Sequence, residues 1–156
     1  MKSSQRYLML KKISFILGII IINAFTVQNQ AIAEDSDDFE VHKLVIQMNT
    51  KSPEKQAEVL TNIVNISKFY GVDNVEIELV AYGPGIYFLT KKSEFRKRIE
   101  SLMLQDVVFT ACGNTLDTLK RVKNIELSLI DDVVVVKNGV PRMMELQENG
   151  YSYLSP

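Results

Sequence analysis

Val107-Val108-Phe109-Thr110-Ala111-Cys112-Gly113-Asn114-Thr115 (VVFTACGNT) carries the reading of the fold. Residues 107–111 are apolar but for one threonine, rich in β-branched and aromatic side chains, and too few for a helix. They read as a strand buried on both faces. Cys112-Gly113 ends the run, and helical spacing follows from about Thr115 to Val122. A doubly buried strand passing at once into a helix is the unit of a parallel sheet covered by helices.

The same alternation extends in both directions. Upstream, Lys43 to Met48 (KLVIQM) is a first strand. Ser52-Pro53-Glu54 then supplies an N-cap, a proline at the first helical position and a first-turn acid. Val59, Leu60, Ile63, Ile66 and Tyr70 recur at helical spacing, and Gly71 is a stop. Val75 to Ala81 (VEIELVA) is a second strand, Tyr82-Gly83-Pro84-Gly85 a tight loop, and Ser93-Glu94 the opening of a second helix with Phe95, Ile99, Leu102 and Met103 on one face. Downstream, residues 124–132 fit no single pattern, and Val133 to Val136 is a fourth strand. Asn138-Gly139 has the form of a hairpin turn, but Pro141 and the spacing of Val140, Met143, Met144 and Leu146 favour a short helix ending at Gly150. Tyr151 to Leu154 is a fifth, edge strand. The expected architecture is a three-layer α/β/α sandwich around a mostly parallel sheet of about five strands. The strand order is not fixed by this pattern.

The chain has 156 residues, 46% hydrophobic and 24% charged, with 7 Gly, 4 Pro, no Trp, 1 His and 1 Cys. That composition excludes collagen-like, low-complexity and disordered chains. One cysteine forms no internal disulfide, and one cysteine with one histidine builds no Cys/His zinc site; no metal site and no cofactor are expected. A Ser-His-Asp triad has only His42 for its base.

Residues 1–33 read as a secretory signal peptide. Lys2, Arg6, Lys11 and Lys12 precede the apolar stretch Ile13 to Ile22, and Ala31-Ile32-Ala33 supplies the small-x-small cleavage pattern. The stretch is short for a membrane span of about 20 residues, so cleavage near Ala33 is expected rather than a retained anchor. The protein is then exported, with the periplasm the expected compartment, and has no membrane segment afterwards. The 33 residues removed hold four basic and no acidic side chains, so the remaining 123 carry 14 Lys+Arg against 19 Asp+Glu, a net charge of −5. Nucleic acid is not an expected partner of an acidic chain. Residues 34–42 begin as an acidic, flexible lead-in (EDSDDFE), and residues 43–156 form a single domain.

In open parallel sheets, ligands bind at the carboxyl ends of the strands. The loops that meet this description are Asn49-Thr50-Lys51 after the first strand, Tyr82 to Gly85 after the second and Cys112 to Thr115 after the third. With neighbouring strands they line one crevice. Cys112 is the residue with chemistry. At a helix start, backbone N–H groups and the helix dipole stabilise an anion, which lowers a thiol's pKa and populates the nucleophilic thiolate. Gly113 allows close approach, and Asn114 and Thr115 cap the helix or donate hydrogen bonds. The competing reading is an inert packing cysteine, since free cysteine is among the most buried residue types. Gly83-Pro84-Gly85 starts like a dinucleotide fingerprint but has Phe88 at the third glycine position, so it reads as a turn bordering the crevice. Lys91, Lys92, Arg96, Lys97 and Arg98 read as a solvated face, His42 as a strand-edge residue away from Cys112, and Met143-Met144 as core filling.

VVFTACGNT resembles the cysteine motif of the DsrE/DsrF-like (YchN-like) proteins. Val80 to Gly85 (VAYGPG) resembles that family's loop after the second strand, and Leu146 to Tyr153 (LQENGYSY) its C-terminal signature. The three pieces fall in the family's order and span nearly all of residues 43–155. The resemblance implies an α/β/α fold, homo-oligomers, and a role in sulfur relay in which Cys112 accepts sulfane sulfur as a persulfide and passes it between a donor and an acceptor protein. Gly113, Asn114, Thr115, Asn49, Tyr82, Gly83, Pro84 and Gly85 would surround it. Tyr82 stands where many relatives carry histidine, and export separates this chain from the cytoplasmic relays. Two functions are therefore expected in competition: a sulfur carrier or sulfurtransferase acting through Cys112, and a non-catalytic exported oligomeric ligand-binding or assembly module in which Cys112 is structural.

Overall fold

Chain order in the computed structural model, which describes residues 41–156, alternates strand and helix as the apolar runs dictate. Strand β1 (His42–Met48) leads to helix α1 (Pro53–Tyr70). Ser52 caps α1, its Oγ accepting the Lys55 N–H at 3.3 Å. Strand β2 (Val75–Ala81) follows, then a 3₁₀ segment (Gly83–Leu89), helix α2 (Arg96–Met103) and strand β3 (Val108–Cys112). Helix α3 (Gly113–Lys123), strand β4 (Val134–Val136), helix α4 (Gly139–Glu148) and strand β5 (Ser152–Leu154) complete the domain. The expected signal peptide and all but the last two residues of the acidic lead-in lie outside the described residues. Of those two, His42 belongs to β1.

All five strands are parallel, in the order β4-β3-β2-β1-β5. Stepping from β1 to β4 in one direction, with right-handed crossovers, places α1, α2 and α3 on one face of the sheet; the return to β5 places α4 on the other. The first face holds the main core. Ile46, Met48, Ile77, Leu79, Phe109 and Ala111 meet Val59, Leu60 and Ile63 of α1, Ile86, Phe88 and Leu89 of the 3₁₀ segment, Ile99 and Leu102 of α2, and Leu119 of α3. Each such aliphatic or aromatic side chain, fully buried, contributes about 1.5–3 kcal/mol.

The second face departs from the expected doubly apolar pattern. A smaller cluster of Val45, Val80, Met143 and Leu146 packs under α4, and beside it lie the buried polar residues Glu78 and Thr110. Arg142 of α4 answers the carboxylate with two bonds, Nε to Oε1 at 3.1 Å and Nη2 to Oε2 at 2.8 Å, while Thr110 donates to Oε1 at 2.7 Å. A bidentate guanidinium makes a buried carboxylate tolerable. One ten-residue helix does not cover five strands, so Val108 and Val134 on this face stay exposed.

Two local expectations change. The tight Gly83 loop extends into a seven-residue 3₁₀ segment, and the next helix begins at Arg96 rather than at Ser93-Glu94. Helix α3 starts at Gly113, two residues earlier than its apolar spacing indicates. Helix α4 starts at Gly139, so the helix favoured over a hairpin at Asn138-Gly139 is the one that forms. Residues 124–132 form a connection anchored by Ile130, whose N–H donates to Leu89 O, and by Ser128 O, which accepts from the Lys91 N–H.

Candidate functional site

Cys112 is the last residue of β3 and the N-cap of α3. Its alternation with Thr110 puts it on the second face, beneath the start of α4. Two helix N-termini thus converge on one thiol. Burial pushes the Cys112 thiol up; the Thr115 hydroxyl, the Gly139 N–H, and the Thr115 and Asn114 N–H groups act together in the opposite direction and outweigh it, so the thiol lies below its ordinary value. The side chain is 6% exposed. The arrangement places donors around the sulfur that favour the thiolate over the thiol, a requirement for a reactive cysteine.

The donors are themselves held. Thr115 Oγ1 accepts the Gly83 N–H at 3.0 Å, which leaves its own proton free to point at Cys112. Gly139 reaches the sulfur because it lacks a side chain: a Cβ there would stand 3.2 Å from both Cys112 Cβ and Val80 Cγ1. Three residues further along α4, Arg142 is pinned to Glu78, which fixes the helix that carries the Gly139 N–H.

The sequence-derived residues fall into two groups. Gly83, Thr115, Asn114 and Cys112 meet at the carboxyl end of β2 and β3, with Gly113 heading α3 and Tyr82 beside Gly139. Asn49 is exposed, and its side-chain amide reaches the Tyr82 hydroxyl at 3.3 Å, linking the β1 and β2 loops rather than approaching the thiol. Gly85 is buried against the backbone of Met48 and Asn49, a packing role. Pro84 lines a cleft of about 320 Å³ together with Lys51, Gly83, Tyr87, Asn114, Thr115, Thr118, Leu119 and Lys123.

Gly139 was not among the sequence candidates. Its signal was present, because the loop after β4 also leaves the carboxyl end of a strand and a glycine two residues before Pro141 suits a helix start. Lys51 belongs to the loop after β1 that was expected to border the crevice, whereas Tyr87 and Lys123 were missed because a lone aromatic or lysine within a segment carries no pattern of its own.

The remaining candidates sit elsewhere. His42 lies at the amino end of β1, stacked on Tyr70 with ring centroids 3.9 Å apart. Met143 is buried and Met144 exposed. Arg96, Lys97 and Arg98 face solvent. Among the described residues, no group of three or more His, Cys, Asp or Glu side chains is arranged to hold a metal ion, and no helix is long and apolar enough to cross a membrane.

A family model, that of the DsrE/DsrF-like family, matches residues 42–156. No curated protein matches the chain. Among solved structures, the chain is similar to a protein of unknown function, MTH1491 from Methanobacterium thermoautotrophicum, with 28% identity, a TM-score of 0.66, and coverage of 74% of this chain and 99% of that one. It is similar in fold to the ychN protein from E. coli (15% identity, TM-score 0.59, coverage 74% and 99%) and to BT1422 from Bacteroides thetaiotaomicron, a conserved protein of unknown function (18% identity, TM-score 0.53, coverage 73% and 94%).

Proposed function

The chain belongs to the DsrE/DsrF-like family, and from that premise we propose that it handles sulfur, with Cys112 accepting sulfane sulfur as a persulfide and relaying it. The observation that carries this reading is the convergence of two helix starts and the Thr115 hydroxyl on a single thiol, lowering its pKa despite burial. In the loading step the Cys112 thiolate attacks the sulfane sulfur of a donor. The new S–S bond forms as the old one breaks, and the leaving group departs with the bonding electron pair. In unloading, an acceptor thiolate attacks the outer sulfur, and Cys112 leaves as thiolate. Thr115, Asn114 and Gly139 hold the negative sulfur before and after each step, so no donor has to reorganise. The persulfide is a reversible cysteine state.

Residues 1–33 support export, and the exposed Val108, Val134, Val140 and Met144 support self-association. The second reading, a binding module with a structural Cys112, draws on the thiol's burial. Incubation with a sulfane donor followed by intact-mass measurement separates them. A gain of one sulfur atom in the protein, absent in a folded Cys112→Ser variant, is the expected result. A Cys112 that gains no sulfur and reacts only after denaturation removes the relay reading and leaves the module.

A further inference from the structure

We infer that the cleft between the 3₁₀ segment and α3 is an anion subsite that holds the charged end of a small sulfane-sulfur donor, with Lys51 and Lys123 as its cations. The inference rests on the persulfide reading and adds to it a substrate class. Nine residues line the cleft, and none of them is acidic, in a chain that has 19 acidic residues overall. Among the described residues, neither Lys51 nor Lys123 lies within 4.0 Å of a carboxylate, whereas Lys43, Lys55, Lys91 and Lys120 each do. Lys51 is held over the Tyr87 ring, 4.3 Å from its centroid, an arrangement that positions the ammonium without neutralising it. The cleft's volume of about 320 Å³ suits a small organic or inorganic anion.

The cleft is also joined to the thiol. Thr115 and Asn114 line it and are also among the groups that lower the Cys112 pKa; Gly83 lines it and donates to Thr115 Oγ1. An anionic donor approaching a thiolate meets repulsion, and the attack releases a second anion: with thiosulfate, sulfur passes to Cys112 and sulfite leaves with the electron pair of the broken S–S bond. Cations in the adjoining cleft would offset both effects. A neutral donor gains nothing from them.

The test uses two alkylating agents of similar size, iodoacetate and iodoacetamide, on the intact protein. The ratio of their rates, referred to the same ratio in the urea-unfolded chain, cancels the thiolate fraction and reports only the preference for a charged reagent. Focusing by a cationic cleft raises local anion concentration by roughly tenfold or more, so the folded ratio should exceed the unfolded one by about that factor, fall with added salt, and drop towards one in Lys51→Gln/Lys123→Gln. As a readout independent of reactivity, thiosulfate titrated into Cys112→Ser should shift the amide resonances of Gly83, Asn114 and Thr115, and this response should be lost in the lysine variant. A reactive Cys112 with no preference for iodoacetate and no thiosulfate shifts overturns the subsite while leaving the relay reading intact. A folded thiol inert to both reagents overturns the relay reading and the subsite with it.

Discussion

Replacing Thr115 by valine removes one hydroxyl from the thiol's surroundings and keeps the side chain's shape. The wild-type hydroxyl accepts the Gly83 N–H at 3.0 Å and donates to Cys112. A hydrogen bond to a charged group is worth about 1.5–3 kcal/mol. At a pH below the thiol pKa of either protein, its loss therefore lowers the thiolate population by about tenfold to about 150-fold. The remaining thiolate is more basic and more nucleophilic, with a Brønsted slope of about 0.4–0.5, which returns roughly threefold to tenfold of the rate. The expected net result is iodoacetamide alkylation about four- to fifteenfold slower at such a pH, with the inflection of the rate–pH curve displaced upward. Thr115→Ser keeps the hydroxyl and should stay close to wild type. The Gly83 N–H left unpaired in the valine variant costs about 1 kcal/mol of stability, which denaturant unfolding will show separately. An unchanged rate–pH curve in a folded Thr115→Val protein would refute the claim that this hydroxyl stabilises the thiolate.

Other consequences are equally direct. Because the folded thiol loses its proton at lower pH than the unfolded one, the unfolded chain binds more protons in between. Stability should therefore rise with pH from the folded thiol's value up to about 8.5 and level off above it, the gain being lost as pH falls again; Cys112→Ser should lack this slope in urea titrations at several pH values. Arg142→Met strands the Glu78 carboxylate and should cost about 3 kcal/mol, towards the low end for a broken buried pair because Arg142 is a third exposed. The double variant Glu78→Met/Arg142→Met should recover most of that loss, and an equal loss in both proteins would contradict the pairing argument. Gly139→Ala forces a Cβ to 3.2 Å from Cys112 Cβ and should displace the start of α4, shifting the alkylation curve upward with stability reduced by about 1–2 kcal/mol. A curve that does not move would mean that the Gly139 N–H contributes nothing at the sulfur.

The legibility of the site followed the kind of signal each residue carries. Cys112 stood out because a strand that ends in a cysteine at a helix start is a local pattern, visible in nine consecutive residues. Thr115 and Gly83 were in view as loop positions, but their bond joins residues 32 apart in sequence, and nothing in either loop specifies it. Asn49 and Gly85 were drawn into the candidate set by their place after strands. Their actual roles, a hydrogen bond to Tyr82 and close contact with the Met48 backbone, depend on how loops pack.

By itself the sequence determined the alternation of strand and helix, the parallel pairing, the buried positions of the main core and the place of the one cysteine at a strand end and helix start, because periodicity, caps and apolar runs act over a few residues. It also carried the family resemblance that the match to residues 42–156 bears out. The tertiary structure decided the order β4-β3-β2-β1-β5, and with it which face α4 covers. That placement brings the Gly139 N–H over Cys112 and Arg142 onto Glu78. It turns an acidic residue that interrupts an apolar strand into the anchor of the second helix start. Loop closure and sheet order are set by the summed packing of distant segments, and a thiolate's stability is set by whichever donors that packing delivers.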